Sequence, residues 1–380
     1  MGDRCGALAA LAGIGAVLGA LLLAIGLWQQ RAQPAADAAE PPPLAIAGEY
    51  EPQAALLLAS HDLLRQQPEL LAEIAEAVHA RLELWILASH AQDLRQAGAL
   101  FEARGIPPER VRFVPAPVET MWVRDFGPLF GRTPDGAPVL LDFEHPEGAR
   151  RAAPRAGDDA APALLAELLG LPRRALALKL GNGNFVGNGD GLFVSTWAAV
   201  LDNRDKGHDL DSMGRELARA LALREWLVLA PLQREPTHDA DMFVSFPAPD
   251  VALVGRLDPA EDAENAAILD QAAALLAGRS TSRGPLRVER IPMPPPEGEV
   301  WRSYTNVIYA NGLLLVPSFA DVDPALEAAA FRVWREQLPG WEIRGLRADA
   351  VARRGGLLHC LSQTLPGYIA LPEPASAAPR

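Results

Sequence analysis

Short apolar runs alternate along the chain with segments whose apolar residues recur at helical spacing. Residues 54–60 (AALLLAS), 84–89 (LWILAS) and 111–117 (VRFVPAP) have the length and composition of buried strands. Between them, residues 68–83 and 91–105 carry apolar positions at the period of an α-helix, and the second segment ends at a glycine. Strands that alternate with helices predict an α/β fold.

The same alternation continues through the second half of the chain. Residues 307–318 predict a β-hairpin, because Asn311 and Gly312 form the favoured two-residue turn between apolar runs. No glycine-rich fingerprint of a nucleotide site follows any predicted strand. Further strands are predicted over 191–201, 224–232 and 241–257, and helices over 212–223, 265–278 and 324–340.

The N-terminal stretch predicts that the folded body leaves the cytoplasm. From Cys5 to Trp28 the chain carries no charge. This run is long enough for a membrane span, which needs about 20 residues, and longer than a signal-peptide core of roughly 7–15 residues. We therefore predict a transmembrane anchor at residues 1–28, or else a signal peptide cleaved near Ala36. In either case the body is expected to be membrane-anchored, periplasmic or extracellular.

Composition divides the rest of the chain into three parts. Residues 29–48 are rich in alanine and proline and predict an extended linker. Residues 49–372 predict one folded domain, and residues 373–380 predict a loose tail. The sequence does not fix the oligomeric state.

Charge and cysteine content narrow the chemistry. The formal net charge of −13 argues against a nucleic-acid partner and is compatible with a cationic substrate. Cys360 is the only cysteine in the predicted domain, so no disulfide framework is expected. A lone cysteine is usually an inert buried residue, and its neighbours in the fold decide whether it reacts. On a strand, the adjacent His359 would point away from Cys360, which favours a structural role for His359.

Polar clusters interrupt the apolar pattern at nearly regular intervals. Trp122, Asn184, Asp241, Asn306 and Cys360 are separated by 62, 57, 65 and 54 positions, and each lies in or beside a predicted strand. The spacing predicts repeated strand–helix units that each deliver a polar group to one centre. Chance is the alternative, because clusters chosen by inspection easily look regular.

The first two clusters contain residue types that fit a planar cation held close to the backbone. Trp122 and Asp125 could bind such a cation by stacking and by paired hydrogen bonds. The alternative is a structural pair of Arg124 with an acid, beside a core tryptophan. Residues 179–193 are rich in glycine and asparagine, which is typical of a turn, a calcium loop or a backbone that closely approaches a ligand.

The third cluster, residues 235–246 (EPTHDADMFVSF), brings three ionisable side chains together. His238, Asp239 and Asp241 fit acid–base catalysis or a metal site, and a solvated loop is the alternative. On a strand, Asp239 and Asp241 would share one face and His238 would lie on the other.

Four motifs together are similar to those of one family. The segments WVRDFGP, NGNFVGNGDG, EPTHDADMF and GGLLHC occur in the family's order. Over about residues 50–372 the chain resembles the bacterial agmatine deiminase and bacterial-type peptidylarginine deiminase family, within the guanidino-group-modifying pentein superfamily. The resemblance implies a five-bladed α/β propeller with the site at its centre.

The resemblance also implies a role for individual residues. Cys360 would be the nucleophile that attacks the guanidinium carbon, and Asp125 and Asp241 would bind the guanidinium nitrogens. The reaction would form a ureido product and ammonia through a covalent cysteine intermediate, without a metal or an organic cofactor. The candidates for substrate binding are Trp122, Asn306 and Asn184.

Two departures from the family pattern affect the predicted function. The family has a histidine where this chain has Asp239, and His238 takes the place of the family's glycine. Either His238 or Asp239 transfers the proton, or this step is impaired. Gly181 and Asn182 also depart from the agmatine deiminase pattern. We therefore expect hydrolytic deimination of an arginine-containing peptide, agmatine or arginine; the alternative is a pentein-fold protein that binds guanidino ligands without turnover.

Overall fold

A computed structural model describes residues 40–145 and 155–373 of the chain. Its strands are β1 Ala45–Ile46, β2 Gln53–Ala59, β3 Glu83–Ala88, β4 Val111–Pro115, β5 Leu129–Arg132, β6 Pro138–Glu144, β7 Arg173–Lys179, β8 Val186–Gly187, β9 Leu192–Thr196, β10 Glu225–Leu229, β11 Val244–Ala248, β12 Val251–Arg256, β13 Ser280–Thr281, β14 Gly284–Pro285, β15 Arg287–Pro292, β16 Ile308–Tyr309, β17 Leu313–Ser318, β18 Glu342–Arg347 and β19 Ser362–Pro366. Its helices are α1 His61–Gln66, α2 Pro68–Val78, α3 Ala91–Ala103, α4 Val123–Phe126, α5 Ala156–Asp159, α6 Ala161–Leu169, α7 Trp197–Asp202, α8 Leu210–Ala220, α9 Ala263–Ala277, α10 Pro324–Gln337 and α11 Asp349–Ala352. The predicted mixed α/β content is confirmed.

Five mixed sheets in the described residues contain the same three-strand unit. In each unit the first strand pairs antiparallel with the second, and the second pairs parallel with the third. Because a parallel connection needs a crossover, helices such as α9 and α10 join the second and third strands. The units are β5–β6–β7, β8–β9–β10, β11–β12–β15, β16–β17–β18 and β19–β2–β3.

The last strand pairs with the first long strand of the fold. β19 runs antiparallel to β2, with Ser362 opposite Leu58 and Leu365 opposite Ala55. The beginning and the end of the folded body therefore share one sheet, which is the closure that a ring of repeated units requires. The arrangement of the five sheets as propeller blades around one axis stays a prediction.

The central strands are buried on both faces, which explains their continuous apolar runs. Leu56, Leu57 and Leu58 of β2 and Trp85 of β3 are all fully buried. Strands of this kind pair in parallel under covering helices, so they do not show the alternation of a half-exposed strand.

The predicted hairpin is confirmed. β16 pairs antiparallel with β17, and Asn311 and Gly312 between them have φ of 48° and 84°. Left-handed φ at both central residues is what a type I′ turn requires. The Asn311 side chain also accepts from the Gln53 N–H and donates to the Gln53 carbonyl, both at 2.8 Å, which ties the hairpin to β2.

The segment predicted as strand over 191–201 changes type in its middle. β9 ends at Thr196, and the Thr196 hydroxyl accepts a hydrogen bond from the Ala198 N–H at 3.2 Å. This cap starts helix α7. The apolar composition alone did not distinguish the strand from the helix.

The folded body also begins earlier than predicted. Leu44 is fully buried, and its N–H donates to the Ala220 carbonyl at 2.9 Å. β1 therefore lies inside the predicted linker 29–48, and the compact unit starts at Pro42. The apolar residues after the prolines belong to the core, so residues 42–48 are part of the folded body and not of a linker.

The predicted anchor or signal helix at residues 1–28 lies outside the described residues, as does the tail after Glu373. None of the helices within 40–145 and 155–373 has the length and hydropathy to cross a bilayer.

Candidate active site

Each of the five polar clusters directly precedes the first strand of a three-strand unit. Asp125 lies before β5, Asn184 before β8, Asp241 before β11, Asn306 before β16 and Cys360 before β19. The clusters thus occupy one topological position that recurs in every unit. The nearly regular spacing in the sequence follows from this repeat and not from chance.

Hydrogen bonds join each cluster to the next and close a ring. Side chains donate three of these bonds and backbone amides donate two. The five clusters therefore lie next to one another in the fold, although they come from distant parts of the sequence. The donors and acceptors are Asn182 Nδ2 to the Gly127 carbonyl, Thr196 Oγ1 to the His238 carbonyl (2.6 Å), Thr305 Oγ1 to the Asp241 carbonyl (3.1 Å), His359 N to Asn306 Oδ1 (2.8 Å), and Arg124 N to the Cys360 carbonyl (3.2 Å).

Cys360 lies buried among polar groups of the neighbouring clusters. Its Sγ accepts a hydrogen bond from Asn306 Nδ2 at 3.3 Å and lies 3.9 Å from Asp241 Oδ2. Burial raises the pKa of the Cys360 thiol well above its ordinary value, and the carboxylates of Asp241 and Asp125 raise it further. The thiol is therefore protonated at neutral pH when no cation occupies the site.

Asp241 is held by a buried histidine. His359 Nδ1 lies 2.7 Å from Asp241 Oδ2, and His359 Nε2 lies 2.8 Å from Glu49 Oε2. Glu49 in turn forms an ion pair with Arg124, so the predicted alternative of a structural Arg124–acid pair is present as well. Asp241 Oδ1 is buried and has no hydrogen-bond partner among the described residues.

The acid–base cluster does not form a strand. Ala240–Met242 is a 3-10 turn, and Asp239 lies at its N-terminal end. His238 has a left-handed φ of 56°, and its N–H donates to the Glu235 carboxylate. The expectation that Asp239 and Asp241 share one strand face is therefore wrong, because hydrogen bonds within the segment, and one from Thr196 at the end of β9, shape it before β11 begins.

Asp239 and Asp241 nevertheless meet at one glycine. A Cβ on Gly183 would lie 2.9 Å from Asp239 Oδ2 and 3.1 Å from Asp241 Oδ2. The glycine-rich cluster therefore serves a close approach of its backbone to these carboxylates, which is one of the three interpretations that its composition allowed.

Trp122 and Asp125 connect the first cluster to the segment that carries Cys360. The half-buried Trp122 ring packs against Gly356, where a Cβ would lie only 2.5 Å from Trp122 Cζ3. Asp125 lies in the short helix α4, is 8% exposed, and acts on the thiol through its charge. A glycine ahead of Cys360 thus makes room for the tryptophan face.

Asn184 has a different environment from the other predicted site residues. Its Nδ2 donates to Thr196 Oγ1 at 3.1 Å, and its Oδ1 accepts from the Thr196 N–H at 2.8 Å. Both polar atoms of the amide are therefore engaged within the second unit. The predicted contact of Asn184 with substrate stays a prediction.

A small cavity of about 50 Å³ adjoins the buried carboxylates of Asp241 and Glu49. Asp241, His359, Glu49 and Arg124 line it, whereas Cys360 is not among the described residues of its wall. Such a volume holds water rather than a substrate. Across residues 40–145 and 155–373, no group of three or more His, Cys, Asp or Glu side chains is placed to hold a metal ion.

Sequence reasoning missed Glu49 and undervalued His359. His359 lies in the turn before β19 and not on a strand, so the argument that it points away from the site does not apply. Glu49 stands 310 positions from His359 at the end of the linker-like segment, where no local pattern marks it. The only feature of the sequence that pointed to this buried cluster was the histidine next to the lone cysteine.

Solved structures with this fold include agmatine deiminases. The fold matches an agmatine deiminase from Enterococcus faecalis with a TM-score of 0.73 at 19% identity, over 85% of this chain and 96% of that one. An agmatine deiminase from C. jejuni gives a TM-score of 0.71 at 18% identity, over the same 85% and 96%. The fold is therefore that of the pentein-type deiminases.

The sequence comparisons identify the family within this class. The agmatine deiminase of Stutzerimonas stutzeri (strain A1501) is 26% identical over 327 residues, which cover 78% of this chain and 86% of the relative. The sequence model of the Porphyromonas-type peptidyl-arginine deiminase family matches residues 46–366. The chain belongs to this family, which confirms the resemblance carried by its motifs.

Proposed function

We propose that this chain hydrolyses a C–N bond of a guanidino group, with release of ammonia and formation of a ureido product. The observation that carries the proposal is the position of Cys360 Sγ, 3.3 Å from Asn306 Nδ2 and 3.9 Å from Asp241 Oδ2. Family membership supports a hydrolase that acts on guanidino C–N bonds.

The site offers carboxylates and a flat apolar face to a planar cation. Asp125 and Asp241 are both buried near the thiol, and Asp241 Oδ1 has no hydrogen-bond partner among the described residues. A buried acceptor of this kind fits a guanidinium N–H, since carboxylate and guanidinium groups pair with matched geometry. The Trp122 ring supplies a stacking surface.

Substrate binding activates the thiol in this proposal. The empty site holds the thiol protonated, because burial and the carboxylates of Asp241 and Asp125 raise the pKa of Cys360. A guanidinium between these carboxylates offsets their charge and lowers the pKa of the thiol again. The thiolate, which is the reactive form, therefore forms only when there is a substrate to attack.

The reaction proceeds through a thioether to the substrate carbon. Cys360 Sγ bonds to the guanidinium carbon, the thiol proton passes to one terminal nitrogen, and that C–N bond breaks to release ammonia. Water then bonds to the same carbon and the C–S bond breaks; one proton of the water returns to Cys360, and the other passes to the ammonia. The sum is guanidinium plus water giving the ureido product plus ammonium.

Asp239 is the group that moves the proton in this account. Asp239 Oδ2 and Asp241 Oδ2 both approach Gly183, which brings Asp239 to the carboxylate beside the thiol. His238 occupies the left-handed backbone position where the family pattern has glycine. This supports the alignment of Asp239, and not His238, with the family's histidine.

The test is product formation by the full-length chain. We would offer agmatine, free arginine and arginine-containing peptides, and measure ureido product and ammonia. Wild type and the matched Cys5→Ala variant should turn over, and Cys360→Ala should not. Equal turnover by Cys360→Ala would contradict the proposal. Ligand binding by wild type without turnover would favour the alternative of a guanidino-binding protein, which the replacement of the family's histidine by Asp239 motivates.

The cellular location of the folded body affects which guanidino compound it meets. We propose that the charge-free segment from Cys5 to Trp28 exports or anchors the body, as its length predicts. An exported enzyme meets arginine-containing peptides more often than free agmatine, so a peptide is the favoured substrate. Fractionation of cells that express the chain with and without residues 5–28 tests this; retention of the shortened chain in the membrane fraction would contradict it.

A further inference from the structure

The imidazole of His359 is held between two carboxylates. Nδ1 lies 2.7 Å from Asp241 Oδ2 and Nε2 lies 2.8 Å from Glu49 Oε2. An ionised carboxylate only accepts hydrogen bonds, and a neutral imidazole has a single N–H to donate. Both contacts are satisfied together only when both ring nitrogens carry a proton. The geometry therefore requires an imidazolium.

The charges around the ring agree with this protonation state. Burial raises the pKa of Glu49, but Arg124 and His359 outweigh it and lower that pKa to about 2, so Glu49 is ionised. Burial and Arg124 lower the pKa of His359, but the carboxylates of Glu49 and Asp241 prevail and raise it above its ordinary value. Two cations and two carboxylates thus alternate in the order Arg124, Glu49, His359 and Asp241.

The cluster is fixed by its backbone as well. The His359 N–H donates to Asn306 Oδ1 at 2.8 Å, and Asn306 also donates to the thiol of Cys360. Arg124 Nε donates to the Ser362 carbonyl at 2.9 Å. The imidazolium therefore sits on the same turn as the thiol, and hydrogen bonds from two other clusters hold that turn in place.

We infer that His359 is a positioning residue, which as an imidazolium fixes Asp241 Oδ2 so that Asp241 Oδ1 is presented to the substrate guanidinium. This inference rests on the proposed function and deepens it. Oδ2 is engaged by His359, whereas Oδ1 is buried without a hydrogen-bond partner among the described residues. A carboxylate fixed at one oxygen leaves the other as an acceptor of defined direction, which aligns the guanidinium carbon with Cys360 Sγ.

The first arm of the test is the separation of kcat from KM in His359→Gln. A misplacement of about 1 Å at a reacting centre costs about 10²-fold in rate. We expect kcat to fall about 10²-fold, with a much smaller change in KM, because the lost cation also ceases to repel the cationic substrate. The matched control is His90→Gln, since His90 is exposed at the start of α3 and forms no side-chain cap.

The second arm is the pH profile of kcat in the full-length chain. The imidazolium is present at low pH and is lost as the pH rises through the raised pKa of His359, so kcat should fall on the alkaline side. Among the described residues, the charged groups that act on the ring are Asp241, Glu49 and Arg124, and the thiol of Cys360 lies beyond Asp241, 3.9 Å from its Oδ2. Glu49→Gln removes a carboxylate that raises the pKa of His359, and should move the alkaline limb to lower pH; His359→Gln should lack the limb.

The third arm reports the imidazolium without turnover. In protein labelled with ¹⁵N-histidine, His359, assigned by comparison with His359→Gln, should carry protons on both ring nitrogens at pH 7. A single protonated nitrogen would overturn the inference, as would an unchanged kcat in His359→Gln or one alkaline limb shared by all variants. If the wild-type chain turns over none of the guanidino substrates, the proposed function is wrong, and the positioning role that rests on it is wrong as well.

Discussion

At the scale of the residue, the environment of Cys360 opposes its reactive form until a cation arrives. Burial and the carboxylates of Asp241 and Asp125 raise the pKa of the thiol. Most activated cysteines lie beside a cation, whereas here the cation adjacent in sequence, His359, is engaged by Asp241 and Glu49. The substrate itself therefore supplies the missing positive charge, which couples activation to binding.

The proposed role of Asp239 in proton transfer leads to a prediction about single residues. We expect Asp239→Asn to lower kcat by about 10²–10⁴-fold, because an amide cannot transfer a proton. His238→Asn is the comparison, and its kcat should stay within a few-fold of wild type. The test is a comparison of kcat for the two variants by steady-state kinetics with the preferred substrate. A larger loss of kcat in His238→Asn than in Asp239→Asn would assign the proton transfer to His238.

Individual site residues were predictable only in part. The motif around Cys360 and the strand-adjacent Asp241 and Asn306 could be identified from the sequence, because each stands in a compact motif. Glu49 could not, since its partner His359 lies 310 positions away. A contact of that kind is created by the closure of the fold and leaves no local pattern.

At the scale of the element, strands and helices were easier to predict than the loops that carry the site. α9 and α10 begin within a few residues of their predicted starts, because apolar periodicity and flanking breakers determine them. The segment before β11 has no such period. Its 3-10 turn and the left-handed His238 depend on bonds from Thr196 and to Glu235.

The left-handed backbone of His238 predicts that two variants at this position differ in stability. A non-glycine residue in the left-handed region costs roughly 1–2 kcal/mol, partly offset by the greater entropy of an unfolded glycine, about 0.5–1 kcal/mol. We expect His238→Gly to have a free energy of unfolding about 1 kcal/mol higher than His238→Ala. Urea unfolding of the two variants compares the backbone effect alone, since both lack the imidazole; a less stable glycine variant would argue against the left-handed turn.

The close approach of Gly183 to the two carboxylates leads to a prediction about activity. A methyl group there would lie 2.9 Å from Asp239 Oδ2 and 3.1 Å from Asp241 Oδ2, and Gly183 does not have a positive φ. We expect Gly183→Ala to reduce kcat/KM about 10²-fold through displaced carboxylates. The control is Gly214→Ala in α8, where a Cβ meets nothing nearer than 3.9 Å. Equal activity of the two variants would contradict the placement of the carboxylates.

At the scale of the whole molecule, the beginning and the end of the folded body meet at the site. β19 pairs with β2, and Glu49 bonds both His359 and Arg124. The α/β class and the repeat of five clusters followed from the sequence. The start of the body near Pro42 did not, because prolines and alanines before the first short strand resemble a linker.

This closure predicts how stability depends on pH. The pKa of Glu49 is lowered from 4.5 to about 2, so Glu49 contributes stability above about pH 4.5 that is lost as the pH falls towards 2. We expect Glu49→Gln to be less stable than wild type at pH 7, and the difference to shrink as the pH falls below 5. Urea unfolding at several pH values measures it, with the exposed Glu102→Gln as control. A difference that stays constant with pH would contradict the ion-pair account.

The central claim is that Cys360 forms a covalent bond with the guanidino carbon, and rapid acid quenching of the first turnover tests it most directly. Mass spectrometry of the digested full-length chain should find the peptide of Cys360 heavier by the substrate less one ammonia. Wild type that forms ureido product while this peptide stays unmodified, together with undiminished turnover by Cys360→Ala, would contradict the account.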